Sequence, residues 1–486
     1  LKGGEAELKT GEKLFLAVVA VIASVFVFAG EARAQEGDIT SSAGVFIKPA
    51  RAKTRVQPSS NNVASRNSTS HHAPVKTNTP TTNTHTPKAP TAESLNAKAG
   101  ALIDAKNYAG AVDPLRQAVK LKPDFADAQY NLGFALFSLD KYADAVGPLQ
   151  RATQLDAKDA DAFYYLGASL AKLNRHAEAA AAYEQASRLD PKDEKSLEAL
   201  GGEYAAAGDT DHAIDAYNRA VAVNPDDLDA QLSLGEALYS KGRYAEAAAA
   251  FQNVVRIAPL NGEAFEGLGD SQFALNNFAA AADAFRSAAR VNTNDEDLYE
   301  RLGYSLGRVK RWQEAADALK TAVRLKPDDA EAFINLAWVY NNTGQYQQAI
   351  DTLKPIVAQK PDNAAAYFNL GTALGHLAQT GAKNDADRKA LFTQAVDAFN
   401  QAIRLKADWP EAHNNLGVVF ISLGRYDEAV RETAEAVRLR PDFARALYNL
   451  ASAYRKGGDK KSAMAVYQKL KAVDPDLADD LYSHIK

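Results

Sequence analysis

Eight histidines and sixty-one carboxylates are the side chains here that could move protons or hold a metal. Their spacing does not gather them. His71, His72 and His85 lie in a polar N-terminal stretch, His176, His212, His376 and His413 fall far apart at unrelated phases, and His484 is near the end. A metal site needs several ligands converging on one point, so no metal and no cofactor is expected. Many carboxylates recur at one place in a repeating segment: Asp127, Asp161, Asp229, Glu263, Asp297, Glu331 and Glu411. An acid there complements the positive N-terminal end of a helix dipole. The chain has no cysteine, which excludes disulfides, thiolate catalysis and Cys-ligated metals. Neither common phosphate loop occurs, and the glycines of residues 262–269 (GEAFEGLG) read as packing positions. The one G-x-S-x-G string, residues 303–307 (GYSLG), starts at the Leu302-Gly303 position of the repeat and reads as packing positions rather than a strand-to-helix elbow. No catalytic residue is expected, and the chain reads as non-enzymatic.

The elements that carry these side chains are set by a 34-residue repeat, clearest at 160–193, with Leu166-Gly167, Ala179, Ala186 and Pro191. The spacing returns at Leu132-Gly133, Ala145 and Ala152, at Leu302-Gly303, Ala315, Ala322 and Pro327, and at Leu416-Gly417, Ala429, Ala436 and Pro441. Within 330–363, Phe333, Leu336 and Tyr340 make one apolar face of a helix. Asn342-Thr343-Gly344 breaks it, and a second helix from about Gln345 stops at Pro361, which cannot continue a helix. Gly or Ala at the eighth position (Gly133, Gly167, Gly235, Gly303, Gly371, Ala451) and Ala at the twentieth (Ala111, Ala179, Ala315, Ala395, Ala463) permit close approach between helices. One pair cannot bury its apolar face alone, so the pairs must stack. The expected fold is all-α, a solenoid of helix pairs.

This pattern resembles the tetratricopeptide repeat (TPR) family over about 92–477, in eleven units starting at Ala92, Ala126, Ala160, Glu194, Leu228, Gly262, Glu296, Ala330, Ala364, Pro410 and Ala444. The resemblance implies a right-handed α-α superhelix with a capping tail at 478–486. Lys98-Ala99 departs from the usual Leu-Gly, as a terminal repeat does. In the ninth unit Gly371 to Ala395 spans 24 positions where Gly167 to Ala179 spans 12. The extra polar stretch near 379–390 is expected to lengthen the turn between that unit's helices, as a tolerated surface insertion.

In TPR proteins the first helices line a concave groove that takes extended peptides or helices. Carried over by position, the groove residues here are Glu198, Glu236, Glu266, Asp270 and Glu300 in the middle units, with Tyr130, Phe134, Tyr164, Tyr304, Trp338, Phe368 and Tyr448 in the flanks. Aromatic side chains suit apolar anchors, and the acids suit a ligand with Lys or Arg. Position six carries Asn131, Asn335, Asn369, Asn415 and Asn449. An amide both donates and accepts, so a row of them can hold a peptide backbone. The row looks like the asparagine ladder in the superhelix of O-linked N-acetylglucosamine transferases, without a catalytic domain, since the repeats run to the end. The paired Lys and Arg of chaperone-binding TPRs are approached only by Arg301 and Arg445.

Ahead of the repeats, residues 14–29 (LFLAVVAVIASVFVFA) are apolar, follow Lys9 and Lys13, and precede Ala32-Arg33-Ala34. That is the layout of a secretory signal peptide, with cleavage after Ala34; a spanning helix takes roughly 17–25 residues. Residues 1–34 are therefore a signal peptide or, alternatively, a membrane anchor. The absence of cysteine excludes a lipid attachment there. The chain opens on Leu1, so a non-standard or different start codon is expected. Residues 35–91, rich in Ser, Thr, Asn, Pro and Lys, bury too little apolar surface to fold and read as a disordered linker. A net charge of -5 and a pI near 6.0 argue against nucleic acid. The expectation is an exported, periplasmic or extracellular scaffold that binds a protein or peptide with basic and apolar residues. The membrane is involved only through an uncleaved N-terminal segment. A membrane-anchored assembly factor, an accessory subunit of an enzyme complex, and a groove for glycan or another envelope polymer are the alternatives.

Overall fold

The structure, a computed structural model, describes residues 89–485, with side chains to 482. The signal-peptide expectation and the linker expectation, apart from residues 89–91, fall outside the described residues. Among the described residues every regular element is a helix, twenty-three in all. The first pairs are α1/α2 (Ala92–Asp104, Tyr108–Leu121), α3/α4 (Ala126–Phe137, Tyr142–Leu155), α5/α6 (Ala160–Lys172, His176–Leu189) and α7/α8 (Glu194–Ala206, Thr210–Val223). Next come α9/α10 (Leu228–Ser240, Tyr244–Ile257), α11/α12 (Gly262–Ala274, Phe278–Val291), α13/α14 (Glu296–Arg308, Trp312–Leu325) and α15/α16 (Ala330–Asn342, Tyr346–Gln359). The last are α17/α18 (Ala364–Thr380, Asp385–Leu405), α19/α20 (Pro410–Ser422, Tyr426–Leu439) and α21/α22 (Ala444–Lys456, Lys460–Val473), followed by α23 (Pro475–Ile485). Every first helix begins at the residue where the repeat begins.

Local chemistry explains these boundaries. Asp159, Asp193, Asp227, Asn261, Asp295 and Asn363 precede first helices, and each side chain accepts a hydrogen bond from a first-turn N–H. Such a cap contributes about 1 kcal/mol. The turn inside ten of the eleven pairs holds one residue at positive φ, from Lys106 (φ 57) to Gly458 (φ 92). Turn and cap together return the chain for the next helix.

The small residues have a specific use. A Cβ added to Gly235 would meet Phe251 Cε1 at 2.8 Å, and one on Gly303 would meet Leu319 Cγ at 2.5 Å. The glycine is thus a notch for a large side chain of its own pair's second helix, rather than a seat for another helix backbone. At the twentieth position Ala179, Ala247, Ala315 and Ala395 are all 0% exposed.

The insertion is built differently from the expected longer turn. Helix α17 has 17 residues and α18 has 21, against 13 and 14 in α21 and α22. The extra residues extend both helices, and only 381–384 joins them. A polar sequence without Pro, capped by Asn384 (its Oδ1 accepts from Asp387 N at 2.9 Å), prolongs a helix as readily as a turn. The capping tail is also a helix, and it starts at Pro475, three residues ahead of the expected boundary at 478. Ala478 and Leu481 pack in the core of the last pair.

The described residues form two compact units, 89–339 and 340–485, dividing within α15. In the first, α4 packs on α5, α6 on α7 and α10 on α11; in the second, α18 packs on α19 and α20 on α21. First helices also touch across pairs, as α1 does α3 and α19 does α21. That second contact places the site residues.

Candidate binding face on the first helices

In the first unit, α7, α9, α11 and α13 carry eleven acidic and three basic side chains, a net of -8. Their partners α8, α10, α12 and α14 carry six of each, a net of zero. Negative charge is therefore concentrated on the first helices. Glu198, Glu236 and Glu266 are half-buried and Glu263 is exposed, whereas Asp270 and Glu300 are each 4% exposed.

The buried acids are held by a recurring clasp. The fifth residue of one first helix bonds the sixth of the next, 35 positions on. Asn131 Nδ2 donates to Asn96 Oδ1 (2.9 Å), Arg301 Nη2 to Glu266 Oε1 (2.6 Å), and Asn335 Nδ2 to Glu300 Oε1 (3.0 Å). In the second unit Asn449 Nδ2 donates to Asn414 Oδ1 (2.9 Å). Arg301, 1% exposed, also donates Nη1 to Asp270 Oδ1 (2.6 Å) and Nε to the Asp297 carbonyl (3.3 Å). Its guanidinium lies 5.1 Å from the Phe285 ring centre. A planar fork satisfied on three sides is what allows a full charge in the core.

One helical step away the charge has the other sign. Carboxylate oxygens of Asp297, Glu300 and Asp329 lie within 4.8 Å of one another. Burial pushes the Glu300 carboxyl up to about 8, Asp329 and Glu331 add to the effect, and the Asn335 bond opposes it. Asp329 accepts from Glu331 N, as a cap does. A second carboxyl pair joins α7 to the turn before α9: the contact with Asp227, with burial, raises Glu194 to about 7. Asn224 Nδ2 donates to both Glu194 oxygens (3.2 and 3.1 Å). Elsewhere His176 Nδ1 meets Glu203 Oε2 at 2.8 Å. In the second unit His413 faces Glu432 Oε2 (2.8 Å) and the Ala407 carbonyl (3.1 Å). Both ring nitrogens meet acceptors, the arrangement that suits imidazolium.

The site residues expected from sequence separate into two groups. Asn131, Asn335, Asn369, Asn415 and Asn449 are all 5% exposed or less. They stand between helices instead of lining an open ladder. Asn369 Nδ2 donates to the Ala365 carbonyl (3.0 Å), and Asn415 Nδ2 is buried without an acceptor. Tyr130, Tyr304, Phe368 and Tyr448 are core side chains. Phe368 stacks on Trp409 at 4.5 Å, and the Tyr448 hydroxyl donates to Asp480 Oδ2 (3.1 Å) on α23. Phe134, Tyr164 and Trp338 are half-exposed, and Trp338 lies 5.1 Å from Trp312. Arg301 belongs to the clasp and not to a chaperone-type clamp. Sequence reasoning missed Asn96, Asn414 and the Glu194–Asp227 pair. Polar residues at i and i+35 were the available signal for the first two.

Stacked antiparallel helix pairs with small-residue notches and first helices clasped at a fixed offset define an α-solenoid. A family model described as the cilia and flagella-associated protein 70 C-terminal domain matches residues 84–266. Two models described as tetratricopeptide repeat match 309–374 and, for the other, 242–297, 384–438 and 422–478. The chain is a tetratricopeptide repeat protein of eleven units. No curated protein matches it. Among solved structures it is similar to TTC0263, a TPR protein of Thermus thermophilus, at 27% identity over 39% of this chain and 98% of that one, TM-score 0.35. It is similar to YrrB, described as a TPR protein with an unusual peptide-binding site, at 21% identity over 45% and 95%, TM-score 0.31. With the Cut9–Hcn1 structure it shares 14% identity over 81% and 96%, TM-score 0.41.

Proposed function

We propose that the protein is a non-catalytic scaffold of the cell envelope that binds a basic, partly apolar protein segment along α7, α9, α11 and α13. TPR proteins generally mediate protein–protein interactions. The observation that carries the finer reading is the asymmetry of formal charge, -8 on these first helices against zero on their partners; protonation of Glu300, and in part of Glu194, near neutral pH leaves the excess of acids in place. A single-sign surface raises the encounter rate with an oppositely charged ligand and disfavours acidic ones. Glu198, Glu236 and Glu266 are acids at the groove positions that water still reaches. Half-exposed Tyr164 and Trp338 at its two ends supply apolar contact. Beneath it Arg301 clasps α13 to α11 through Glu266, and Asn335 clasps α15 to α13 through Glu300. The envelope location rests on the leader at 1–34, read from sequence.

The test is calorimetric titration with a Lys/Arg-containing amphipathic peptide, comparing the native chain with Glu198→Gln/Glu236→Gln. Two lost ion pairs at about 0.7 kcal/mol each weaken binding about tenfold, and raising salt weakens it similarly. Equal affinity for both proteins at every salt concentration would overturn the proposal.

A further inference from the structure

The composition that this acidic face suits occurs within the same chain. Residues 46–56 read FIKPARAKTRV, with four bases (Lys48, Arg51, Lys53, Arg55), no acid, and Phe46, Ile47 and Val56 at the ends. The surrounding stretch 35–91 holds seven bases and two acids, a net of +5, and Phe46 is its only aromatic residue. A protein of overall charge -5 thus keeps a basic, apolar-ended stretch ahead of α1 and an acidic face on α7, α9, α11 and α13.

We infer that residues 46–56 bind in cis to the first-helix face of α7, α9 and α11, so that an external basic segment must displace them. This rests on the function proposed above and names the first occupant of that face. Charge complementarity supports it, and so does reach. Between Val56 and Ala92 lie 35 residues, which extend to about 120 Å at most. From α1 to α11 is five first-helix steps, roughly 50 Å at about 10 Å per step. A tether that spans its site supplies an effective concentration on the order of 1 mM. A segment with a Kd of about 100 μM is then bound about nine-tenths of the time, and the apparent affinity of a competitor falls about tenfold. Weak recognition suffices, because the tether replaces the second partner's concentration.

The experiment uses the full chain, in one mild detergent throughout, and its variant Lys48→Gln/Arg51→Gln/Lys53→Gln/Arg55→Gln. The probe is a fluorescein-labelled peptide of residues 45–57, followed by anisotropy. The variant is expected to bind it about tenfold more tightly than the native chain. Adding Glu198→Gln/Glu236→Gln to the variant removes that gain, with circular dichroism unchanged. Equal affinity for native chain and variant overturns the cis contact while the face itself still binds basic segments. A difference that grows with protein concentration gives the segment to a neighbouring copy and overturns it too. An unrelated Lys/Arg peptide that binds the variant when the 45–57 peptide does not overturns the inference alone. Failure of both peptides overturns the inference and the proposed function together.

Discussion

The two units use one repeat for different electrostatic ends. In 89–339 the first helices α7 to α13 carry a net of -8, and the clasp at α11–α13 is ionic. In 340–485 the first helices α17, α19 and α21 hold one acid and three bases, and the clasp at α19–α21 joins two neutral amides. The clasp position is common to both, so register does not require charge. What the first unit gains from Arg301 is the ability to keep acids in and around its core. The cost is dependence on a single cation and on protons.

The largest test of that contrast is Arg301→Met. It removes the guanidinium that pairs with buried Asp270 and half-buried Glu266, and is expected to cost about 3–5 kcal/mol. Urea unfolding followed by hydrogen exchange should show 89–339 losing protection first. An unchanged midpoint would mean that Asp270 is held by something other than Arg301.

Protons give the next contrast. Glu300 has its folded pKa raised to about 8, so its contribution to stability is complete below the unfolded value near 4.5 and is lost as pH rises through 8. Stability of the first unit should therefore fall between pH 5 and 8, and Glu300→Gln should flatten that fall in thermal melts across the range. In the second unit burial pushes His413 down, while the Glu432 and Ala407 hydrogen bonds push it up by more, for a net rise. Its contribution is complete below the unfolded value near 6.5 and is lost above that. His413→Gln should remove the decline above pH 6.5 from the second unit and leave the first unit's decline in place.

A neutral clasp should matter less. Asn449→Ala deletes one amide bond and orphans the Asn414 oxygen, a loss of about 1–2 kcal/mol, read as a denaturant midpoint shift in the second unit. Smallest is Asp295→Ala, which removes the cap of α13 for about 1 kcal/mol and should leave the pH profile of Glu300 intact.

These contrasts mark where the sequence was legible. Helix starts could be read because the 34-residue spacing of small residues such as Gly235 and Gly303 is set within one repeat. The fully buried alanines Ala179 and Ala315 followed from the same spacing. The role of position six was not legible, because it depends on what stands 35 residues earlier. Helical periodicity gives a side chain's angle around its own axis, not its distance from the next first helix. Asn335 and Asn449 thus read as groove donors although they bond Glu300 and Asn414. Glu198 and Glu236, at positions five and nine of their helices, are half-buried rather than enclosed as Asn335 and Asn449 are. The insertion at 379–390 misled for another reason: a polar, Pro-free stretch extends α17 and α18 as well as it would form a loop.

Hydrogen exchange of the chain neutralised at Lys48, Arg51, Lys53 and Arg55, with and without the 45–57 peptide, tests the account most directly. Added protection confined to α7, α9, α11 and α13 is the predicted result. Protection in α17, α19 and α21, with none on the acidic helices, would contradict it and return the ligand to the asparagines.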